Sequence, residues 1–167
     1  MPIRTLPTEQ YFAIIKEQLA LSGTAYVRVT GVSMHPMLCH LRDSVILVPP
    51  TRIRVGDIVL FERGNGRYAL HRVILKTGRG FYMAGDNQWH YEANLPYAGI
   101  VGVASHIVRD GKTLDVRRFP QVLFAAFITA AAFPRIFVYR MLRSLYRPLA
   151  RLFGGNPTVK KTEKRKK

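Results

Sequence analysis

Between residue 25 and about residue 118 the apolar positions fall into short runs, recurring about every 8 to 12 residues with Gly, Pro and Asn between them. Ala25–Val29, Ser44–Val48, Ile58–Glu62, Tyr68–Leu75, Gly80–Ala84, Gly99–Val108 and Thr113–Arg117 each read as a strand. That spacing predicts a compact, mainly β domain over residues 25–118. Arg63-Gly64-Asn65-Gly66-Arg67 carries the Asn-Gly signature of a hairpin turn. Ahead of the strands the period changes. Tyr11, Phe12, Ile14, Ile15 and Leu19 predict one amphipathic helix within residues 1–24, with Thr8 as N-cap and Ser22-Gly23 as its stop. Glu9, Lys16 and Glu17 break its apolar positions too often for a membrane span or a secretory signal.

After Pro120 the pattern changes again. Val122–Phe133 is apolar except for Thr129. At about 1.5 Å per residue it covers roughly 20 Å, short of the ~30 Å hydrocarbon core of a bilayer. Extension to Tyr139 brings in Pro134 and Arg135. Arg135, Arg140, Arg143, Arg147 and Arg151 then recur near helical spacing, with Ile136, Phe137, Met141, Leu142, Leu145 and Tyr146 between them. Residues 119–155 are therefore expected to form hydrophobic and basic amphipathic helices that meet an anionic membrane surface. A helix pair packed on the β-domain and a true span are the alternatives. Residues 156–167 read as a disordered basic tail.

Charge supports this division. The formal net charge is +16 over 167 residues. Residues 1–116 carry 13 Lys/Arg against 9 Asp/Glu, a balance of +4, and residues 117–167 carry 13 against 1, a balance of +12. Such a tail can neutralise phosphates. Nucleic acid is nevertheless not the expected partner, because residues 1–24 hold too little for a helix-turn-helix reader. The single cysteine, Cys39, excludes an internal disulfide and reads as a small buried side chain. His35, His40, His90 and His106 are scattered, so neither a metal nor a cofactor is expected.

The candidate chemistry lies at strand ends. Gly31-Val32-Ser33-Met34-His35-Pro36 puts a serine on a turn between an extended run and a proline. His71 sits within an apolar strand, and Gly85-Asp86-Asn87 turns the chain after another. A hydroxyl, an imidazole and a carboxylate are the set that acyl transfer needs: a base to take the hydroxyl proton and an acid to fix the base's tautomer. Taken singly, Ser33 could cap a turn, Asp86 could bond its own backbone, and His71 could be a half-exposed strand residue.

Ser33-Met34-x-Pro36, Gly56-Asp57-Ile58-Val59, His71-Arg72-Val73 and Gly85-Asp86-Asn87, in that order, resemble the signature boxes of type I signal peptidases and LexA-like serine peptidases. The resemblance covers roughly residues 25 to 108 and implies the compact β-domain of that superfamily. Histidine rather than lysine in the third box is the pattern of its endoplasmic-reticulum, archaeal and sporulation-type members. By position the resemblance makes Ser33 the nucleophile, His71 the general base and Asp86 the orienting acid, with Glu92 in reserve. Thr30, Gly31 and Met34 would support the oxyanion site. Many relatives carry serine where this chain has Gly31; loss of one such donor typically costs about 10² to 10³ in rate.

The activity implied is cleavage of extended peptides, signal or leader peptides of preproteins, after small residues. A membrane-associated enzyme at the bacterial cytoplasmic membrane is expected, with a partner protein able to supply an N-terminal anchor. Two other readings follow from the same boxes: a LexA-like regulator that cleaves itself within Leu19–Ala25, or a catalytically silent membrane-surface adaptor.

Overall fold

The computed structural model describes residues 7–64 and 66–152, and of residues 147–152 the backbone alone. The expected tail at 156–167, Asn65 of the hairpin turn and the side chains of Arg147 and Arg151 lie outside that description. Helix α1 spans Thr8–Ser22. Thr8 is its first residue, not its cap: Pro7 holds the N-cap position and no side chain bonds the free amides. Gly23 ends the helix in the left-handed region, φ 69°, and its N–H donates to the Leu19 carbonyl at 3.1 Å. Ile15 and Leu19 turn into the core, and Phe12 stacks on Tyr68 with ring centroids 3.7 Å apart.

The strands are β1 (Ala25–Arg28), β2 (Ser44–Val48), β3 (Ile58–Arg63), β4 (Arg67–Thr77), β5 (Gly80–Ala84), β6 (Glu92–Leu95), β7 (Ile100–Arg109) and β8 (Lys112–Asp115). The described residues form an eight-stranded antiparallel sheet, ordered β1-β2-β7-β3-β4-β5-β6, with β8 paired to β7. Strand β6 had no counterpart among the expected runs.

Both faces of this sheet are covered, which explains why β3 reads as a continuous apolar run rather than an alternation. Leu60 joins Ile15, Leu19, Val27, Met34, Leu47 and Ile107 on one side. Its neighbours Val59 and Phe61 join Val73, Phe81, Met83 and Val103 on the other. Irregularities at Ile46/Leu47, Leu60/Phe61, Val73/Leu75 and Phe81/Met83 re-aim the strands. The fold is mainly β with a helix at either end, as the spacing predicts.

The C-terminal region differs from expectation. One continuous helix, α2 (Gln121–Leu152), replaces the separate helices read from the pattern, and Pro134 lies inside it. Proline removes one backbone donor but leaves the remaining ladder to carry the helix. Ala132 and Ile136, on either side of Pro134, are both buried, and Ala132 packs with Ile74 and Ala84 of the sheet. That packing holds the two halves in line.

Candidate active site

Ser33 belongs to the long turn between β1 and β2, and the turn is fixed from three directions. At its base the Val29 N–H donates to the Asp43 carbonyl (3.0 Å) and the Leu41 N–H to the Val29 carbonyl (2.8 Å). The wholly buried Asp43 carboxylate accepts from Arg109 Nε (3.0 Å) and Nη2 (2.7 Å), Arg42 Nε (2.9 Å) and the Cys39 N–H (2.7 Å). Burial pushes this carboxyl up, but the hydrogen bonds from Arg109, Arg42 and Cys39 outweigh it and hold Asp43 well below the usual range. Within the turn, the Gly31 N–H donates to His40 Nδ1 at 2.8 Å. Gly31 has φ 102°, a conformation open to glycine at little cost. Cys39, expected to be buried, is half-exposed with Arg42 Nη2 3.0 Å from its sulfur.

The third support is the Gly85-Asp86-Asn87 turn. The Asn87 N–H donates to the Ser33 carbonyl at 2.8 Å. A Cβ on Gly85 would lie 2.5 Å from that carbonyl oxygen, so only glycine allows the approach. The Gln88 side-chain oxygen accepts from the Gly85 N–H at 3.1 Å. Two of the boxes distant in sequence are thus bonded through backbone, one clamping the serine of the other.

His71 lies on β4 opposite Val59 and is 2 % exposed. Its Nδ1 is 3.1 Å from Glu92 Oε1, off the line of a straight hydrogen bond. Arg63 Nε donates to Glu92 Oε2 at 2.7 Å, and Arg63 Nη2 contacts Oε1. Burial pushes the Glu92 carboxyl up, but His71 and Arg63 bring it down to about 2. At neutral pH it is an anion beside the imidazole.

Asp86 is not placed as expected. Its carboxylate is buried and takes both arms of the Arg72 guanidinium, Nε to Oδ1 at 2.8 Å and Nη2 to Oδ2 at 2.7 Å. His71 and Arg72 are consecutive on β4 and so face opposite sides of the sheet. A carboxylate committed to one cannot serve the other. The reserve candidate, Glu92, is the acid that meets His71.

Ser33, His71, Thr30, Gly31 and Met34 line one cleft of about 890 Å³, together with Arg63, Tyr68, Leu70 and Gln88. Asp86 is not among its walls. Among the described residues the Ser33 N–H has no backbone acceptor, whereas the Gly31 N–H is already taken by His40. Sequence reasoning missed Arg63, which fixes Glu92, and the Asp43–Arg109 pair, which fixes the serine turn; neither sits in a recognisable box. It also missed Arg135 of α2, whose Nη1 donates to the Asp86 carbonyl at 2.6 Å and so braces the Gly85–Asn87 turn from behind.

The Peptidase S24-like family model matches residues 2–105, which is the α1 helix and the sheet as far as β7. The chain belongs to the Peptidase S24-like family. Membership accords with the LexA and signal-peptidase superfamily and with a serine peptidase or LexA-like type of protein. No curated protein matches the chain. Helix α2 lies beyond the matched residues.

Proposed function

We propose that this S24-like protein is a serine endopeptidase in which Ser33 is the nucleophile, His71 the general base and Glu92 the orienting acid. The observation that carries the reading is the buried imidazole with a carboxylate at Nδ1, in the same cleft as a serine held on a clamped turn. Glu92 favours the tautomer with a proton on Nδ1, leaving Nε2 to take the serine proton. Ser33 Oγ attacks the scissile carbonyl; His71 returns the proton to the departing amine; water then hydrolyses the acyl-enzyme by the same relay. The Ser33 N–H and the Thr30 hydroxyl stabilise the developing oxyanion. The substrate is an extended peptide of the signal or leader class with small residues beside the cut, lying in the cleft along β1, the end strand of the sheet among the described residues.

A substrate supplied in trans fits the structure better than self-cleavage. Leu19–Ser22 forms the last turn of α1, with Leu19 buried, and Ala25 is paired to Leu47. That stretch is too short and too well packed to enter its own cleft. The test is cleavage of a mixed peptide library by full-length protein, read by mass spectrometry beside Ser33→Ala and His71→Ala. Cuts after small residues in the wild type alone support the reading. Equal cutting by Ser33→Ala, or none by any form, overturns it.

A further inference from the structure

A helix on the surface of a water-soluble domain turns its apolar face inward and its polar face out. Helix α2 departs from this. Thr129, Ala132 and Ile136 face the sheet, and Arg135 bonds the Asp86 carbonyl and lies over the Trp89 ring. The opposite side, read at helical spacing, is Leu123, Phe127, Pro134, Phe137, Met141 and Leu145, a stripe with no charge in it. Phe127 is 67 % and Phe137 68 % exposed.

By length and composition the stretch Gln121–Tyr146 could cross a membrane, and Ala132 and Ile136 are its buried residues, so it is no core helix. Crossing would set the Arg135 guanidinium, near its middle, in hydrocarbon and would strip Ala132 and Ile136 from the sheet. A helix lying flat keeps both contacts.

The flank of the helix between these two faces has its own chemistry. Arg140 and Arg143 line a polar pocket of about 660 Å³ with Trp89, His90 and Ser144. Adjoining it, and sharing Arg140 and Ser144, an apolar groove of about 680 Å³ runs along Phe133, Phe137, Met141 and Leu145 beside Tyr91. Among the described residues neither arginine makes an ion pair. A cationic niche opening onto an apolar trough matches an anionic phospholipid, headgroup phosphate first and acyl chain behind. We propose that α2 lies along an anionic bilayer, its apolar stripe sunk at the headgroup–acyl boundary and a lipid phosphate held between Arg140 and Arg143. The +12 balance of residues 117–167 works in the same direction. This reading does not depend on the peptidase assignment.

The test is flotation of full-length protein with phosphatidylcholine vesicles, with and without phosphatidylglycerol. The wild type floats with the anionic vesicles. Arg140→Gln and Arg143→Gln each weaken that binding about 5-fold. Phe127→Asp with Phe137→Asp abolishes it; both positions are exposed, so the sheet's circular dichroism stays unchanged. An environment-sensitive dye placed at residues 127, 137 and 145, in a Cys39→Ser background, reports one shallow depth for all three. Failure to float, indifference to lipid charge, depths that spread across the bilayer, or burial of the dyes in a dimer without vesicles would each overturn the proposal.

Discussion

The sheet and helix α2 solve opposite problems with the same residue types. In the sheet, arginines are used up internally: Arg72 on Asp86, Arg109 on Asp43, Arg63 on Glu92. Each fixes a carboxylate, and each carboxylate fixes a part of the cleft. In α2, Arg135 is spent on a backbone group, the Asp86 carbonyl, while Arg140 and Arg143 make no ion pair among the described residues. Phenylalanines divide likewise: Phe61 and Phe81 are buried, Phe127 and Phe137 point outward. The difference teaches that one region is built to hold groups in place and the other to meet an environment. Arg135 joins the two, because the turn it braces is the turn that holds Ser33.

The contrast can be broken most forcefully at Ser33. Ser33→Ala is expected to lower peptide cleavage by roughly 10⁴-fold or more while melting temperature and vesicle binding stay as in the wild type. Glu92→Gln comes next. It is expected to reduce kcat by on the order of 10² to 10⁴ with little change in KM, since the imidazole loses its orienting charge. Asp86→Asn separates the two acids: it leaves a buried Arg72 guanidinium without its counter-charge, and loses about 3–5 kcal/mol of stability by urea titration. A large loss of kcat in Asp86→Asn without loss of stability would reverse the assignment of the acids. Arg135→Gln is milder. Loss of a charged donor costs about 1.5–3 kcal/mol, seen as looser packing of α2 and a several-fold fall in cleavage.

Acid titration gives the smallest effect. Folding lowers the Glu92 carboxyl from 4.5 to about 2, so its contribution to stability is complete above pH 4.5 and disappears as pH falls through 2. Unfolding of Glu92→Gln, followed against pH, should show a shallower acid limb over that window than the wild type.

Much of the sheet was legible in the sequence because burial leaves a periodic trace. Ser44–Val48 and Gly80–Ala84 coincide with the strands observed, since each is apolar and bounded by turn residues. Strand β6 left no such trace: Glu92-Ala93-Asn94-Leu95 sits at the sheet edge with little to bury. It carries Glu92, the carboxylate that lies beside His71. Order along the chain pointed to Asp86, and it is the alternation of side chains on β4 that assigns Asp86 to Arg72 and leaves His71 to Glu92. The separate helices expected over residues 119–155 are one, because Ala132 and Ile136 pack on either side of Pro134, which the one-dimensional pattern does not show. Gly85 was legible as a turn glycine, but its reason, close approach to the Ser33 carbonyl, belongs to three dimensions.

The most direct measurement is the intact and peptide-mapped mass of full-length protein treated with a peptidyl diphenyl phosphonate carrying an alanine side chain next to phosphorus, on which an activated serine oxygen displaces phenol and stays bonded to phosphorus. The account predicts one adduct, on Ser33, in the wild type and in Asp86→Asn under conditions where it is folded, and none in Ser33→Ala or His71→Ala. An adduct that persists in His71→Ala, or one that maps elsewhere than Ser33, would contradict it.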